Sequence, residues 1–288
     1  MLLVTGSSLR REDLGMRFAA RRGSVLIRYD VEGSGDPVVL LHGFAESSGF
    51  WREFGYCKEC LAQGRQVVLI DLRGHGESSK LTDPQSYGLV NFAKDVIAVL
   101  DDAGIERADL LGFGMGGRTA LATAALAPER VHAVAAGGTH PYAEQTQCYR
   151  DWLAEGLESW AKVVEGAYGG LSDHTRKRIM ANDPRAIAAA VALDRPDISD
   201  ALTRSKVPIL LFLGKNDPRF PLALSFAEQS GATVIGVAGY GCMTAATAAR
   251  SIVLPRILKF FKNPQRNTRI ELIAAGLCEE VRAPCRAD

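Results

Sequence analysis

Five histidines, six cysteines and one late aspartate are the side chains of this 288-residue chain best suited to chemistry. The histidines are His42, His75, His132, His140 and His174. An imidazole titrates near neutral pH and can move a proton. His140 has the most suggestive setting, because Thr139-His140-Pro141 follows an apolar run and Tyr142 comes next. Ligands of open α/β folds bind at the C-terminal edge of the sheet, where this pair could polarise a ligand or transfer a proton. A hinge or packing role is the alternative. His132 and His174 read as a strand-edge and a helical surface residue. Cys57 and Cys60 form a C-x-x-C pair. Zinc or redox chemistry would call for a second pair or a thioredoxin-like helix start. Neither is visible, so the spacing reads as two thiols one helical turn apart. No metal or cofactor is expected.

The elements that must position these residues follow from hydrophobic patterning. Short apolar runs at 37–41, 66–70, 108–111, 131–136, 208–213 and 233–237 have the length and continuity of strands buried on both faces. Residues 15–32 read as two strands joined by a turn at 21–23. Phe92, Val96, Ile97 and Leu100 recur at helical spacing before one strand, and an alanine-rich helix over 118–126 follows it. Strand and helix alternate, which predicts a mostly parallel sheet covered on both faces. Residues 141–203 break that rhythm, with helical patterns at 149–168, 172–181 and 185–193, and read as a helical cap inserted between two strands. Helix resumes over 244–261. The expected division is a core of residues 1–140 and 204–262, a cap of 141–203 and a tail of 263–288. Within the tail, 265–288 is expected to be partly helical around 270–277, or disordered.

Composition narrows the function classes. Net charge is +1, with 23% charged and 47% hydrophobic residues, so nothing points to nucleic acid or to an acidic store. No apolar stretch is long enough for a membrane helix. The apolar start, Met1 to Val4, meets Arg10 and Arg11 too soon for a signal peptide, so a cytoplasmic location is expected. The expected partner is a small molecule.

Three segments fall in an order that carries a resemblance: Leu41-His42-Gly43-Phe44, Asp71-Leu72-Arg73-Gly74-His75-Gly76-Glu77-Ser78, and Leu111-Gly112-Phe113-Gly114-Met115-Gly116-Gly117. Gly214-Lys215-Asn216-Asp217-Pro218 comes later. Together they resemble α/β-hydrolases of the cap-bearing esterase, lactonase and C–C hydrolase kind, over roughly residues 15–262. The resemblance implies an α/β fold with a mostly parallel eight-stranded sheet. It implies an oxyanion hole from the amides of Phe44 and Met115, which would favour a developing negative charge. It implies a ligand pocket between sheet and cap, with Phe113, Tyr142, Trp152 and Trp160 as candidate lining. His42 and the 71–78 loop, His75 included, are expected to be structural.

The same resemblance fails at two positions. The elbow motif G-x-S-x-G reads Gly112-Phe113-Gly114-Met115-Gly116, so glycine stands where the nucleophile belongs. Asp217 fits the triad acid. The histidine should follow the last core strand, but that stretch reads Ala238-Gly239-Tyr240-Gly241-Cys242-Met243, and no histidine lies after Asp217. Cys242 stands in its place. A carboxylate beside a thiol raises the thiol pKa, so Cys242 reads either as an unorthodox nucleophile or as a filler of the histidine's space. The leading expectation is a ligand-binding or pseudo-enzyme homologue for a small, largely apolar carbonyl compound. The alternatives are a cofactor-free lyase, isomerase or unorthodox hydrolase using His140, Asp217 or Cys242, and a structural or partner-binding role through the tail.

Overall fold

The structure, a computed structural model, describes residues 17–21, 24–241 and 244–274. Its centre is a nine-stranded sheet: β1 (Arg17–Arg21), β2 (Val25–Glu32), β3 (Pro37–Leu41), β4 (Gln66–Ile70), β5 (Ala108–Phe113), β6 (Val131–Gly137), β7 (Ile209–Gly214), β8 (Thr233–Val237) and β9 (Arg269–Ile273). The order is β1-β2-β4-β3-β5-β6-β7-β8-β9. β1 pairs antiparallel with β2, and β2 antiparallel with β4, while every other pairing is parallel. All residues of β5, β7 and β8 are buried. The period of two still operates inside these apolar runs. Val38, Leu40, Val67 and Leu69 face one core, and Val39, Leu41, Val68 and Ile70 face the other.

The helices before β6 are α1 (Gly49–Glu53), α2 (Tyr56–Ala62), α3 (Leu89–Asp102) and α4 (Met115–Leu126). Between β6 and β7 come α5 (Gln147–Leu153), α6 (Leu157–Tyr168), α7 (Asp173–Met180), α8 (Pro184–Ala190) and α9 (Ser199–Ser205). Then follow α10 (Phe220–Ser230) and α11 (Arg250–Lys262). Among the described residues, no helix is long and apolar enough to cross a membrane. α4 lies closest to the sheet, buried from Met115 to Ala124. Small residues make that approach possible: a methyl group on Gly116 would sit 2.0 Å from the Leu41 carbonyl oxygen.

Two expectations are corrected. The sheet has nine strands rather than eight, and residues 269–273 form a strand rather than a helix. β9 runs parallel to β8, with Ile270 opposite Val234 and Leu272 opposite Gly236. The reason is tertiary: an apolar run of alternating pattern, offered an open sheet edge, satisfies its backbone groups by pairing. Residues 275–288 lie outside the described residues, as does the rest of the expectation for the tail.

β4 returns to one side of β3 and β5 to the other. The chain therefore reverses direction across the sheet between β3 and β5, and the loops leaving these two strands open the crevice in which doubly wound folds bind ligands.

Candidate functional site

β3 ends at Leu41 and β5 at Phe113, side by side, so Gly43-Phe44 and Gly114-Met115 emerge together. Gly114 joins β5 to α4 with φ +54° and ψ −115°. Its N–H donates to the Gly137 carbonyl at 2.8 Å, and its own carbonyl accepts from the Arg118 N–H at 2.9 Å. That is a left-handed turn that favours glycine. Two neighbouring glycines are required for another reason: a methyl group on Gly112 would lie 2.2 Å from the Gly116 carbonyl oxygen. In front of Gly114 the space is open, with nothing within 4 Å of where a Cβ would stand. The Phe44 and Met115 amides carry no hydrogen bond among the described residues, and both residues line the same cavity as Gly114.

That cavity has a volume of about 80 Å³ and is bounded by both loops and by the helices between β6 and β7. Phe113, Trp152 and Trp160 line it. The rings form a cluster: Phe44 meets Trp160 at 5.2 Å and Tyr149 at 5.4 Å, and Trp152 meets Trp160 at 5.6 Å between centroids. Tyr142 does not line it. It packs beside His140 and against Phe226, with its hydroxyl 3.5 Å from Ser225 Oγ. His140 is also outside the lining. It is 2% exposed, its Nδ1 has no partner among the described residues, and burial pulls its pKa down to about 4. The two residues are brought together, but neither lines the cavity.

Asp217 follows β7, and its side chain is fully buried. Oδ1 accepts from the Arg219 N–H at 2.9 Å, and Oδ2 has no partner among the described residues. Burial pushes this carboxyl up from its ordinary range, against the pull of Arg219. Cys242 lies outside the described residues.

Arg219, which lines the cavity, was not singled out by the sequence, although it stands two residues after Asp217. Its Nε donates to Glu144 Oε1 at 2.6 Å, and Arg195 Nη1 donates to Glu144 Oε2 at 2.5 Å. Burial alone would raise the Glu144 carboxyl, but the two guanidinium groups outweigh it and hold it down to about 2. Glu46 was also missed. It lines the cavity, and Arg178 of α7 donates to it at 2.6 Å. Asn182 Nδ2 donates to the Ala45 carbonyl at 2.9 Å. Ala45 holds φ +56°, so a strained loop residue is pinned from the inserted helices.

His42 and His75 are fully buried behind the loop. His42 Nδ1 donates to the Gly43 carbonyl at 2.8 Å, while Nε2 accepts from the Leu72 N–H at 3.0 Å. Burial pulls its pKa down to about 4, and that of His75 down to about 3. Burial thus favours the neutral form of both rings; His42 bonds the Gly43 carbonyl, while His75 packs against the rings of His42 and Phe44. Cys57 and Cys60 are buried in α2, where burial pushes their thiols up to about 11 and about 12.

The family model for the alpha/beta hydrolase fold matches residues 36–168. A pimeloyl-[acyl-carrier protein] methyl ester esterase of Pseudoalteromonas atlantica is 30% identical over 217 residues, which cover 67% of this chain and 80% of that protein. Bifunctional epoxide hydrolase 2 of Sus scrofa is 38% identical over 128 residues, covering 42% of this chain and 22% of that protein. The first curated relatives are matched over only 42%, 22% and 28% of their own length. Among solved structures, the bottromycin epimerase in complex with bottromycin A2 superposes with a TM-score of 0.72 at 24% identity, over 85% of this chain and 99% of that one. The chain belongs to the α/β-hydrolase family.

Proposed function

We propose that this protein binds a small, largely apolar carbonyl compound and has given up serine-hydrolase chemistry. Gly114 carries the reading. It keeps the elbow turn, φ +54°, with open space before it and no side chain to attack a substrate. Losing a triad nucleophile costs on the order of a million-fold in turnover. An oxyanion hole and binding alone leave roughly a thousand- to ten-thousand-fold over water. The free amides of Phe44 and Met115 suit a carbonyl or anionic oxygen, and the aromatic cluster suits an apolar body. Residues 141–203 act as a cap over this cavity, tied down through Arg178, Asn182 and Glu144.

The test is hydrolysis of a short-chain chromogenic ester by three forms: the protein itself, Gly114→Ser/Cys242→His, and that double variant with Asp217→Ala. Activity confined to the double variant supports the reading. Equal activity in the unaltered protein overturns it.

A second reading, a cofactor-free lyase, isomerase or unorthodox hydrolase, draws on Asp217. Its Oδ2 is buried without a partner, and its carboxyl is pushed up, as suits a proton-transfer group. The epimerase among the fold's solved members is a further reason to consider it. Turnover that survives Cys242→Ala and His140→Ala but vanishes in Asp217→Asn would favour it over the first.

A further inference from the structure

Behind Met115 lies a second and larger cavity, of about 380 Å³, within the usual size of a small-molecule site. Its wall is mainly apolar, with Phe92 and Leu89 of α3 on one side and Val191 and Leu193 after α8 on the other. Three charged residues line it. Asp194 is paired with Arg150 at 3.2 Å, and Arg195 with Glu144 at 2.5 Å. The third, Arg118, is 1% exposed and has no carboxylate partner among the described residues. Its two Nη groups donate to the carbonyls of His140 and Pro196, and its Nε has no partner among the described residues. Glu144 and Asp197 are near enough to favour its charge, but neither touches it.

A buried guanidinium without a counter-ion is costly, and a carboxylate is the group that matches its planar fork. The carbonyls of His140 and Pro196 take the two Nη groups, and the buried Nε has no partner among the described residues. Elsewhere around this site each buried arginine has its acid: Glu144 serves Arg195 and Arg219, and Asp217 also faces Arg219. Arg118 lacks one among the described residues.

We propose that this cavity is a second binding site, for small carboxylates with an apolar body, and that Arg118 takes the carboxylate. The site is independent of the chemistry at Gly114. It shares only Met115 with the first cavity, so an occupant here can shift the Met115 end of the elbow.

The experiment is titration calorimetry of the full chain with 4-phenylbutanoate and, in parallel, with its neutral amide. Four forms are compared: unaltered, Arg118→Met, Ala190→Phe, which fills the second cavity, and Val164→Phe, which fills the first. The expected result is saturable binding of the acid, at least ten-fold weaker binding of the amide, loss of acid binding in Arg118→Met and Ala190→Phe, and retention in Val164→Phe. Equal binding of acid and amide, binding blocked by Val164→Phe but not by Ala190→Phe, or no saturable heat from the acid would each overturn it. If Arg118→Met does not fold, the acid–amide preference and the two cavity-filling variants decide.

Discussion

Replacing Glu144 by glutamine tests the electrostatic link between the cavity wall and the helices between β6 and β7. Glu144 is the acid shared by Arg195 and Arg219, and its side chain is 12% exposed. Its carboxyl is held down from the ordinary 4.5 to about 2. At about 1.4 kcal/mol per pH unit, that difference corresponds to about 3 kcal/mol of folded-state preference for the carboxylate. A carboxyl with a depressed folded pKa contributes stability that is complete above its unfolded value, near 4.5, and that is lost as pH falls towards about 2. Glutamine imitates the protonated acid. The gap between unaltered protein and variant should therefore be about 3 kcal/mol at pH 7, roughly half that near pH 3, and close to zero below pH 2. Breaking a buried pair by removing one partner costs about 3–5 kcal/mol in other proteins, which agrees in size. Urea unfolding followed by tryptophan fluorescence at pH 7, 5 and 3 measures it. A gap under about 1 kcal/mol at pH 7, or one that does not change with pH, would refute the reasoning.

Two further predictions concern the elbow and the retained acid. Gly114→Ala should fold and cost about 1–3 kcal/mol, the strain of a left-handed turn with no clash to add to it. Gly116→Ala should cost far more or fail to fold, because its methyl group meets backbone at 2.0 Å; equal thermal stability of the two variants would be inconsistent with the close packing of α4 on β3. Asp217→Asn should be at least as stable as the unaltered protein at pH 7. A carboxyl raised by burial favours folding below its unfolded pKa and loses that contribution as pH rises through its folded value, a penalty that asparagine does not carry. A clear drop in Tm for this variant at neutral pH would mean that the carboxylate charge itself holds Arg219.

The central strands were legible because they are buried on both faces, and a run such as Pro-Val-Val-Leu-Leu has few other homes. The elbow was legible because glycines at 112, 114 and 116 are demanded by contacts a Cβ would violate or by positive φ. β9 was not, because Arg-Ile-Glu-Leu-Ile alternates too briefly to separate an edge strand from a helical turn, and only the presence of β8 decides. Tyr142 and His140 illustrate a different limit. Their position at a strand end suggested the cavity, but neither lines it, and Tyr142 packs against Phe226 of α10. Arg219, Glu46 and Arg118 were invisible for a common reason. Charged residues near a turn read as solvated surface, and their burial depends on partners some 22 to 132 positions away.

The persistence of Asp217 in a chain with no later histidine has a physical explanation in these contacts. A buried carboxylate with one oxygen unpartnered is a net cost if it stands alone. It does not stand alone, because its other oxygen accepts from the Arg219 backbone and lies 3.5 Å from the Arg219 guanidinium. Arg219 in turn bridges to Glu144, and Glu144 to Arg195, so the acid after β7 ends a chain of alternating charges that reaches the inserted helices. Within that chain Asp217 Oδ1 is an acceptor for the Arg219 backbone and guanidinium, two roles that need no histidine and that an amide oxygen could also fill. Its Oδ2, aimed at nothing among the described residues, is the part of the group these roles leave unused.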